Sequence, residues 1–242
     1  MVAYFGINAM KFGVLNFPGS NCAEDCFHVL DKVVNQPTRY FWHQETNTTD
    51  LDAIVVPGGF SYGDYLRPGA IARFAPAMDA LKEFVEKGKL VIGICNGFQI
   101  LTEAGLLPGS LIKNKSVKFL CQDQTIRVEN AKTPFTQKFH KHELLMTPIA
   151  HNEGNYYIDD EGLAELEAHH QIIFRYASQD GTVDDSTNPN GSVSNIAGIC
   201  NKSFNVLGMM PHPERNAESL LGNAQGIKVF ESMILSFTNS GN

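Results

Sequence analysis

The chain has 242 residues, a length that fits one large domain or two small ones. Its hydrophobic fraction of 43% and charged fraction of 19% are ordinary for a globular protein with a substantial core. The formal net charge of −7 argues against a nucleic-acid surface, which needs Lys and Arg to neutralise phosphates, and against an anionic membrane as partner.

Cysteine usage and the chain start indicate a reducing compartment. The five cysteines are an odd number at irregular spacing, which does not indicate a disulfide framework. No apolar run reaches the ~20 residues that span a bilayer, and residues 1–10 lack the basic region and cleavage site of a signal peptide. We therefore expect a cytoplasmic protein, with residues 1–10 as a short tail and one domain over 11–238. A start at Met10 instead of Met1 is an open alternative.

The first half of the chain alternates short apolar runs with amphipathic segments. Strands are predicted at Lys11–Phe17, Arg39–Trp42, Ala53–Val56 and Leu90–Ile94. Helices are predicted from a cap at Asn21 through Lys32, over residues 71–87, and over Asn96–Ala104. This alternation predicts an α/β fold with an open, largely parallel sheet and helices on both faces, a flavodoxin-like arrangement.

The second half is less regular and richer in strand-like segments. Strands are predicted at Ile126–Glu129, Leu145–Ala150, Ile172–Tyr176, Val193–Cys200 and Val206–Met210. A last amphipathic helix is predicted over Ala224–Phe237. No repeat or low-complexity linker divides the chain, so a single domain is the simpler interpretation.

The most informative stretch is Gly93–Gly97, which reads Gly-Ile-Cys-Asn-Gly between an apolar strand and a helix. A strand that turns at once into a helix strains the central residue and brings the residues on either side close together, so glycine fits there. This is the pattern of a nucleophile elbow, with Cys95 in the place of serine. The positive end of the helix dipole beneath the sulfur favours a thiolate.

A cysteine nucleophile needs a base, and the base needs a group that orients it. His212 follows the apolar run Val206–Met210 and therefore lies at the end of a predicted strand, on the same sheet edge as Cys95. Glu214 stands two residues further on and is close enough in sequence to hold the imidazole. We predict that Cys95, His212 and Glu214 form a catalytic triad.

Acyl transfer also needs backbone N–H donors where negative charge develops. One donor in an elbow enzyme is the N–H after the nucleophile, which here belongs to Asn96. A second must come from a neighbouring strand end, and the Gly-rich turn after Ala53–Val56 makes Gly59 the preferred candidate. These two residues are the predicted oxyanion hole.

Other motifs give weaker indications. Cys22 and Cys26 lie one helical turn apart and are interpreted as packing residues, because no second pair completes a metal site. His151 follows a predicted strand, and a structural and a functional role both stay open for it. The chain has no Walker A loop and no G-x-G-x-x-G motif, so any ATP chemistry is expected on another chain, with no metal site and no cofactor in this one.

The order of an elbow cysteine and a later His-x-Glu resembles the class I (triad) glutamine amidotransferases. Within that family, the stretches GGFSYGD, CNGFQ and GMMPHPER are similar to the glutaminase subunits of phosphoribosylformylglycinamidine synthase in purine biosynthesis. The similarity runs from about residue 11 to 236. Asn152 and Phe204 differ from the family pattern, which usually has glycine at both positions.

The resemblance implies an ATP-dependent carbon–nitrogen ligase whose glutaminase subunit releases ammonia from glutamine through a Cys95 thioester. It implies that Gln99 helps to bind glutamine. It also implies a large synthetase subunit, which holds ATP and magnesium and converts formylglycinamide ribonucleotide to formylglycinamidine ribonucleotide, and a small accessory subunit. One alternative keeps the fold but changes the reaction or the pathway: a glutaminase that serves another synthetase, or a cysteine hydrolase of γ-glutamyl substrates. The other is a non-catalytic thiol sensor of the same fold.

Overall fold

A computed structural model describes residues 9–240 of the chain. The strands are β1 (Phe12–Asn16), β2 (Thr38–Trp42), β3 (Ala53–Val56), β4 (Leu90–Ile94), β5 (Ser110–Ile112), β6 (Leu120–Val128), β7 (Leu144–His151), β8 (Asn155–Tyr157), β9 (Ile172–Tyr176), β10 (Ile196–Cys200) and β11 (Val206–Met209). The α-helices are α1 (Ala23–His28), α2 (Pro76–Glu86), α3 (Asn96–Glu103), α4 (Asp160–Ala168) and α5 (Ile227–Ser240). Nine strands form one sheet, and β5 pairs with β8 in a small second sheet.

Five adjacent strands of the large sheet are parallel, in the order β2-β1-β3-β4-β11. Strands β3, β4 and β11 are buried along nearly their whole length, as apolar runs in a covered parallel sheet should be. Val56 pairs with Gly93, and Met209 pairs with Ile94, so the carboxyl ends of these three strands meet at one edge. The predicted open α/β sheet is confirmed, and this edge carries the candidate site.

The other half of the sheet is antiparallel and continues from β11 through β10, β9, β6 and β7. Strand β7 is last in this order, yet its backbone reaches the same edge as the parallel strands. The carbonyl oxygen of Pro148 on β7 accepts a 2.9 Å hydrogen bond from the N–H of His212. The two halves of the sheet therefore meet around the end of β11.

Two predicted helices differ from the observed ones. Helix α1 begins after Cys22 and has no side-chain cap, so the cap predicted at Asn21 is wrong, and the chain then continues as a π-helical turn at Val29–Val33. The helix predicted over 71–87 is divided into a 3-10 turn and α2, because Pro76 holds Ala75 in an extended conformation (φ −67°, ψ 143°).

The core consists of the buried strands and the helix faces packed against them. Met10 is fully buried and donates its backbone N–H to Gln36. Residues 1–8 of the expected N-terminal tail lie outside the described residues. Among the described helices, none has the length and apolar character that crossing a bilayer requires.

Candidate active site

Cys95 lies at the sharp turn between β4 and α3. Its backbone has φ 51° and ψ −105°, which is strained for a residue with a side chain. The residue is 5% exposed, and its Sγ lies 3.6 Å from the carbonyl oxygen of Ala150. Cys95 therefore has the strained backbone that the sequence predicts for a nucleophile elbow.

Two glycines make this turn possible. A Cβ on Gly93 would lie 2.7 Å from the backbone of Gly97, and a Cβ on Gly97 would lie 1.9 Å from the carbonyl oxygen of Val56. Real Cβ atoms do not approach backbone atoms so closely, so a larger residue would push α3 away from β3 and β4. The glycine spacing thus follows from the close approach of α3 to the strands, as expected from the sequence.

Gly97→Ala is expected to lower the free energy of unfolding by about 3 kcal/mol or more, because the new methyl group collides with rigid backbone. Chemical denaturation monitored by circular dichroism measures this loss. Gly88→Ala is the matched control, since Gly88 has φ +76° but no heavy atom within 4 Å of its Cβ position. It should lose about 1 kcal/mol, for the left-handed backbone alone. Equal losses in the two variants would contradict the steric explanation.

His212 follows β11 and begins a 3-10 turn over Pro213–Asn216. Its Nδ1 lies 2.6 Å from Oε1 of Glu214, and both side chains are almost completely buried. The proline fixes the turn that brings the carboxylate back to the ring. His212 Nε2 has no hydrogen-bond partner within residues 9–240, so it can take part in a proton transfer.

Cys95 and His212 converge on the small space beside Gly58. A Cβ on Gly58 would lie 2.8 Å from Cε1 of His212 and 3.4 Å from Cβ of Cys95. Burial opposes the charged imidazole, but the negative charges of Glu214 and of ionised Cys95 outweigh it and raise the pKa of His212 to about 10. The arrangement favours the imidazolium form of His212 between the Glu214 carboxylate and the Cys95 side chain.

The two predicted oxyanion donors lie on the elements that flank Cys95. Asn96 is the first residue of α3, where backbone N–H groups have no partner within the helix. Gly59 follows β3 and has φ +134°, and a Cβ there would lie 2.7 Å from the backbone nitrogen of Asn21. Neither N–H donates a backbone hydrogen bond within residues 9–240. Both donors are therefore available to an external acceptor.

The Asn96 side chain connects α3 to the turn at Ser61–Asp64. Its Oδ1 accepts from the N–H of Ser61, and its Nδ2 donates to Asp64 at 3.2 Å and to Gln99 at 2.9 Å. Gln99 Nε2 donates to the carbonyl oxygen of Glu153 at 2.6 Å. Gln99 thus links α3 to the segment after β7, and its predicted contact with glutamine stays a prediction. Burial, and then the charge of Glu153, raise the pKa of Asp64 to about 6.

His151 is buried at the end of β7, and its Nδ1 lies 3.1 Å from Oδ1 of Asn114. The Asn114 amide is held by donation to the carbonyl oxygens of Lys118 and His151, so its Oδ1 is the acceptor and Nδ1 carries the proton. Burial, aided by the positive charge of His212, lowers the pKa of His151 to about 4. His151 is therefore a neutral buried histidine at neutral pH.

The lowered pKa predicts acid sensitivity. Between pH 6.5 and about 4, His151 binds a proton in the unfolded chain but not in the folded one, so the free energy of unfolding falls as the pH falls. The loss amounts to up to about 3 kcal/mol. His151→Asn should show a shallower decline over this range in denaturation experiments at stepped pH. His169→Asn controls for the loss of one imidazole at an exposed position. Parallel curves for wild type and His151→Asn would contradict the prediction.

Sequence reasoning assigned Cys22 to packing alone, but the structure brings it to the site. Its Sγ lies 3.2 Å from the Cβ position of Gly58 and accepts a 3.0 Å hydrogen bond from Arg215 Nη2. Burial raises the pKa of the Cys22 thiol to about 12, although the Arg215 charge opposes this. No local pattern indicates a contact between residues so far apart in the chain.

Comparison with known proteins agrees with this geometry. Residues 9–235 match the CobB/CobQ-like glutamine amidotransferase domain. Over 225 residues the chain is 58% identical to phosphoribosylformylglycinamidine synthase subunit PurQ of Koribacter versatilis, with 93% of this chain and 97% of that protein covered. It is 54% identical to the protein of the same name from Acaryochloris marina, with 96% and 99% covered. The chain therefore belongs to the glutamine amidotransferases and, within them, to the family of phosphoribosylformylglycinamidine synthase PurQ subunits.

A solved structure, that of PurLQS from Thermotoga maritima, contains a chain of the same fold. The TM-score is 0.82 at 42% sequence identity, over 94% of this chain and 98% of that chain. Sequence and fold thus agree along nearly the whole length, and the family expected from the sequence motifs is confirmed.

Proposed function

We propose that this chain is the glutaminase subunit of phosphoribosylformylglycinamidine synthase and that Cys95, His212 and Glu214 are its catalytic triad. The observation that carries the proposal is the convergence of a strained elbow cysteine and a carboxylate-held histidine at one sheet edge. The 58% identity to a PurQ subunit supports the pathway assignment.

In the proposed reaction, the Cys95 thiolate attacks the side-chain carboxamide carbon of glutamine. The carbonyl oxygen becomes an oxyanion, which accepts hydrogen bonds from the N–H groups of Gly59 and Asn96. The imidazolium of His212 gives a proton to the departing nitrogen, and ammonia leaves a thioester on Cys95.

In the second half of the reaction His212 acts as a base instead of an acid, and the thioester on Cys95 is hydrolysed. Neutral His212 takes a proton from water, which attacks the thioester carbon and releases glutamate and the Cys95 thiolate. Glu214 keeps the imidazole in the orientation in which Nε2 faces the sulfur and the water. Gln99, which bridges α3 and the segment after β7, completes the glutamine site.

Ammonia from this site is delivered to a separate large synthetase subunit, with a small accessory subunit in the same complex. The synthetase subunit holds ATP and magnesium and uses the ammonia to convert formylglycinamide ribonucleotide to formylglycinamidine ribonucleotide, in the cytoplasm. The chain itself has no phosphate-binding glycine motif. The nitrogen therefore has to cross the interface between the two subunits.

A row of exposed apolar side chains follows the Gly59 turn. Phe60, Tyr65, Leu66 and Phe74 are 49%, 70%, 80% and 73% exposed. The same segment is bonded to the elbow through Ser61. Exposed apolar side chains of this kind mark interaction sites, so we assign this row to the synthetase interface.

Leu66→Asp is expected to weaken binding to the synthetase by about tenfold or more, because it puts a charge into an apolar contact. Asp tolerates the positive φ of 72° at this position, so the fold should be kept. Leu220→Asp, at a leucine that is 91% exposed in another segment, is the matched control. Calorimetric titration with the synthetase subunit measures both. Unchanged affinity of Leu66→Asp for the synthetase subunit would mean that the interface does not include this row of side chains.

The function itself is tested by glutamate release from glutamine, measured for the chain alone and with the synthetase and accessory subunits, formylglycinamide ribonucleotide and ATP. Strong activation by the partners is expected. Glutamate release at the same rate with and without the partners would support the proposed chemistry but refute the pathway assignment. No release in either mixture would refute the proposed chemistry.

A further inference from the structure

Three ligand-type side chains meet beside Cys95. They are Cys22, His212 and Glu214, and one potential ligand atom of each lies within 4.8 Å of the other two. All three residues are at most 3% exposed. Glu214 Oε2 and His212 Nε2 have no hydrogen-bond partner in the described part of the chain. Glu214 Oε2 therefore has lone pairs that no described group of the protein uses, and His212 Nε2 gains one when the ring loses its proton.

This combination of donors matches a particular class of cation. Thiolate, imidazole and carboxylate are the ligands of Zn²⁺, which accepts them in a tetrahedral arrangement. With bonds of about 2.0–2.3 Å, zinc ligand atoms lie roughly 3.5 Å apart. Small side-chain rotations would bring the three groups from their present separation to that distance.

We propose that Cys22, His212 and Glu214 form a binding site for Zn²⁺ that switches the glutaminase off. On binding, the Cys22 thiol and the protonated His212 ring each release one proton to solvent, so that the sulfur and an imidazole nitrogen bond to the metal, and the Glu214 carboxylate supplies the third ligand. The fourth position is open to water or to the Cys95 sulfur. The inhibitory consequence rests on the proposed function, whereas the binding rests on the residues alone.

The charges around Cys22 set the conditions for this site. Arg215 Nη2 donates to the sulfur at 3.0 Å and also pairs with Asp25 through Nε at 3.2 Å. The guanidinium supports the thiolate but repels a second cation, and the carboxylates of Glu214 and Asp25 offset that repulsion. We therefore assign a reversible, regulatory site here and not a permanent structural one.

Cobalt titration tests the binding without any assay of activity. Co²⁺ replaces Zn²⁺ in such sites, and a bond to a thiolate gives a sulfur-to-metal charge-transfer band. Wild type and Cys95→Ala should both show the band, whereas Cys22→Ser should lack it. A band that is lost in Cys95→Ala and kept in Cys22→Ser would place the metal on the nucleophile and overturn the proposal, as would no band in any form.

Circular dichroism checks the fold of each variant, and Glu214→Gln serves as a second removal of one ligand if Cys22→Ser fails to fold. Glu214→Gln should require at least about tenfold more Co²⁺ for half-saturation than wild type. Half-saturation at the same Co²⁺ concentration as wild type would overturn the proposal. In the assembled complex, Cys22→Ser should need at least about tenfold more Zn²⁺ than wild type for half-inhibition, with each protein compared with its own rate without metal. Equal sensitivity to Zn²⁺ would refute the inhibitory role, and a cobalt band without glutaminase activity would refute only the proposed function.

Discussion

Cys95→Ala is expected to abolish glutamine-dependent synthesis by the complex and to leave ammonia-dependent synthesis intact. The loss should be roughly 10⁴-fold or more, because alanine at the elbow cannot form the thioester. The fold should survive, since alanine at φ 51° bears the same backbone strain as cysteine and is smaller. External ammonia enters the synthetase reaction without the glutaminase step, so that rate reports on complex integrity.

Cys121→Ala is the matched control, because Cys121 is an exposed cysteine on β6 and not part of the elbow. It should keep both activities at wild-type level. Loss of both activities in Cys95→Ala would mean that Cys95 is a structural residue. Labelling with a glutamine-like electrophile adds an independent check. Label on Cys95 that glutamine blocks would exclude a thiol sensor without a glutamine site.

The elbow could be predicted from sequence because its requirements are local. Gly93 and Gly97 flank Cys95 at positions where a Cβ would collide with α3 or with β3. The buried runs of β3 and β4 are continuous in apolar residues, so their positions and their parallel pairing follow from composition and order. His212 could be placed for the same reason, since β11 is another such run.

The contacts that join distant segments could not be predicted. Cys22 and Arg215 are separated by 193 residues, and no local pattern couples them. The hydrogen bonds from Asn96 to Ser61 and Asp64 depend on a loop with left-handed residues whose path the sequence does not specify. These contacts are products of tertiary packing, which local propensity cannot encode.

Local rules also failed where two signals competed. Apolar spacing predicted one helix over 71–87, but the restraint of Pro76 on Ala75 was stronger and divided it. The departure at Phe204 has a structural meaning, because this residue has φ 56°, in the left-handed region that glycine adopts freely. The fold accepts a bulky side chain there at the cost of backbone strain.

His212→Asn is expected to reduce glutamine-dependent synthesis about as much as Cys95→Ala, because nucleophile and base act as a unit. Asparagine keeps an N–H donor near the position of Nδ1, so the buried Glu214 carboxylate keeps a partner and the fold is maintained. Asparagine has no atom equivalent to His212 Nε2. That nitrogen has no hydrogen-bond partner among the described residues and is the atom proposed to move protons. Steady-state glutamate release in the complex measures the loss.

Glu214→Ala should be milder by roughly 10²-fold than His212→Asn, because the carboxylate orients the imidazole and does not itself transfer protons. The ratio of the two losses therefore distinguishes proton transfer by His212 from orientation of the imidazole by Glu214, although the two side chains are only 2.6 Å apart. His169→Asn, at an exposed histidine, controls for assay and expression effects. Glu214→Ala at the wild-type rate would remove Glu214 from the mechanism. A loss equal to that of His212→Asn would mean that the imidazole transfers protons only in the orientation that Glu214 holds.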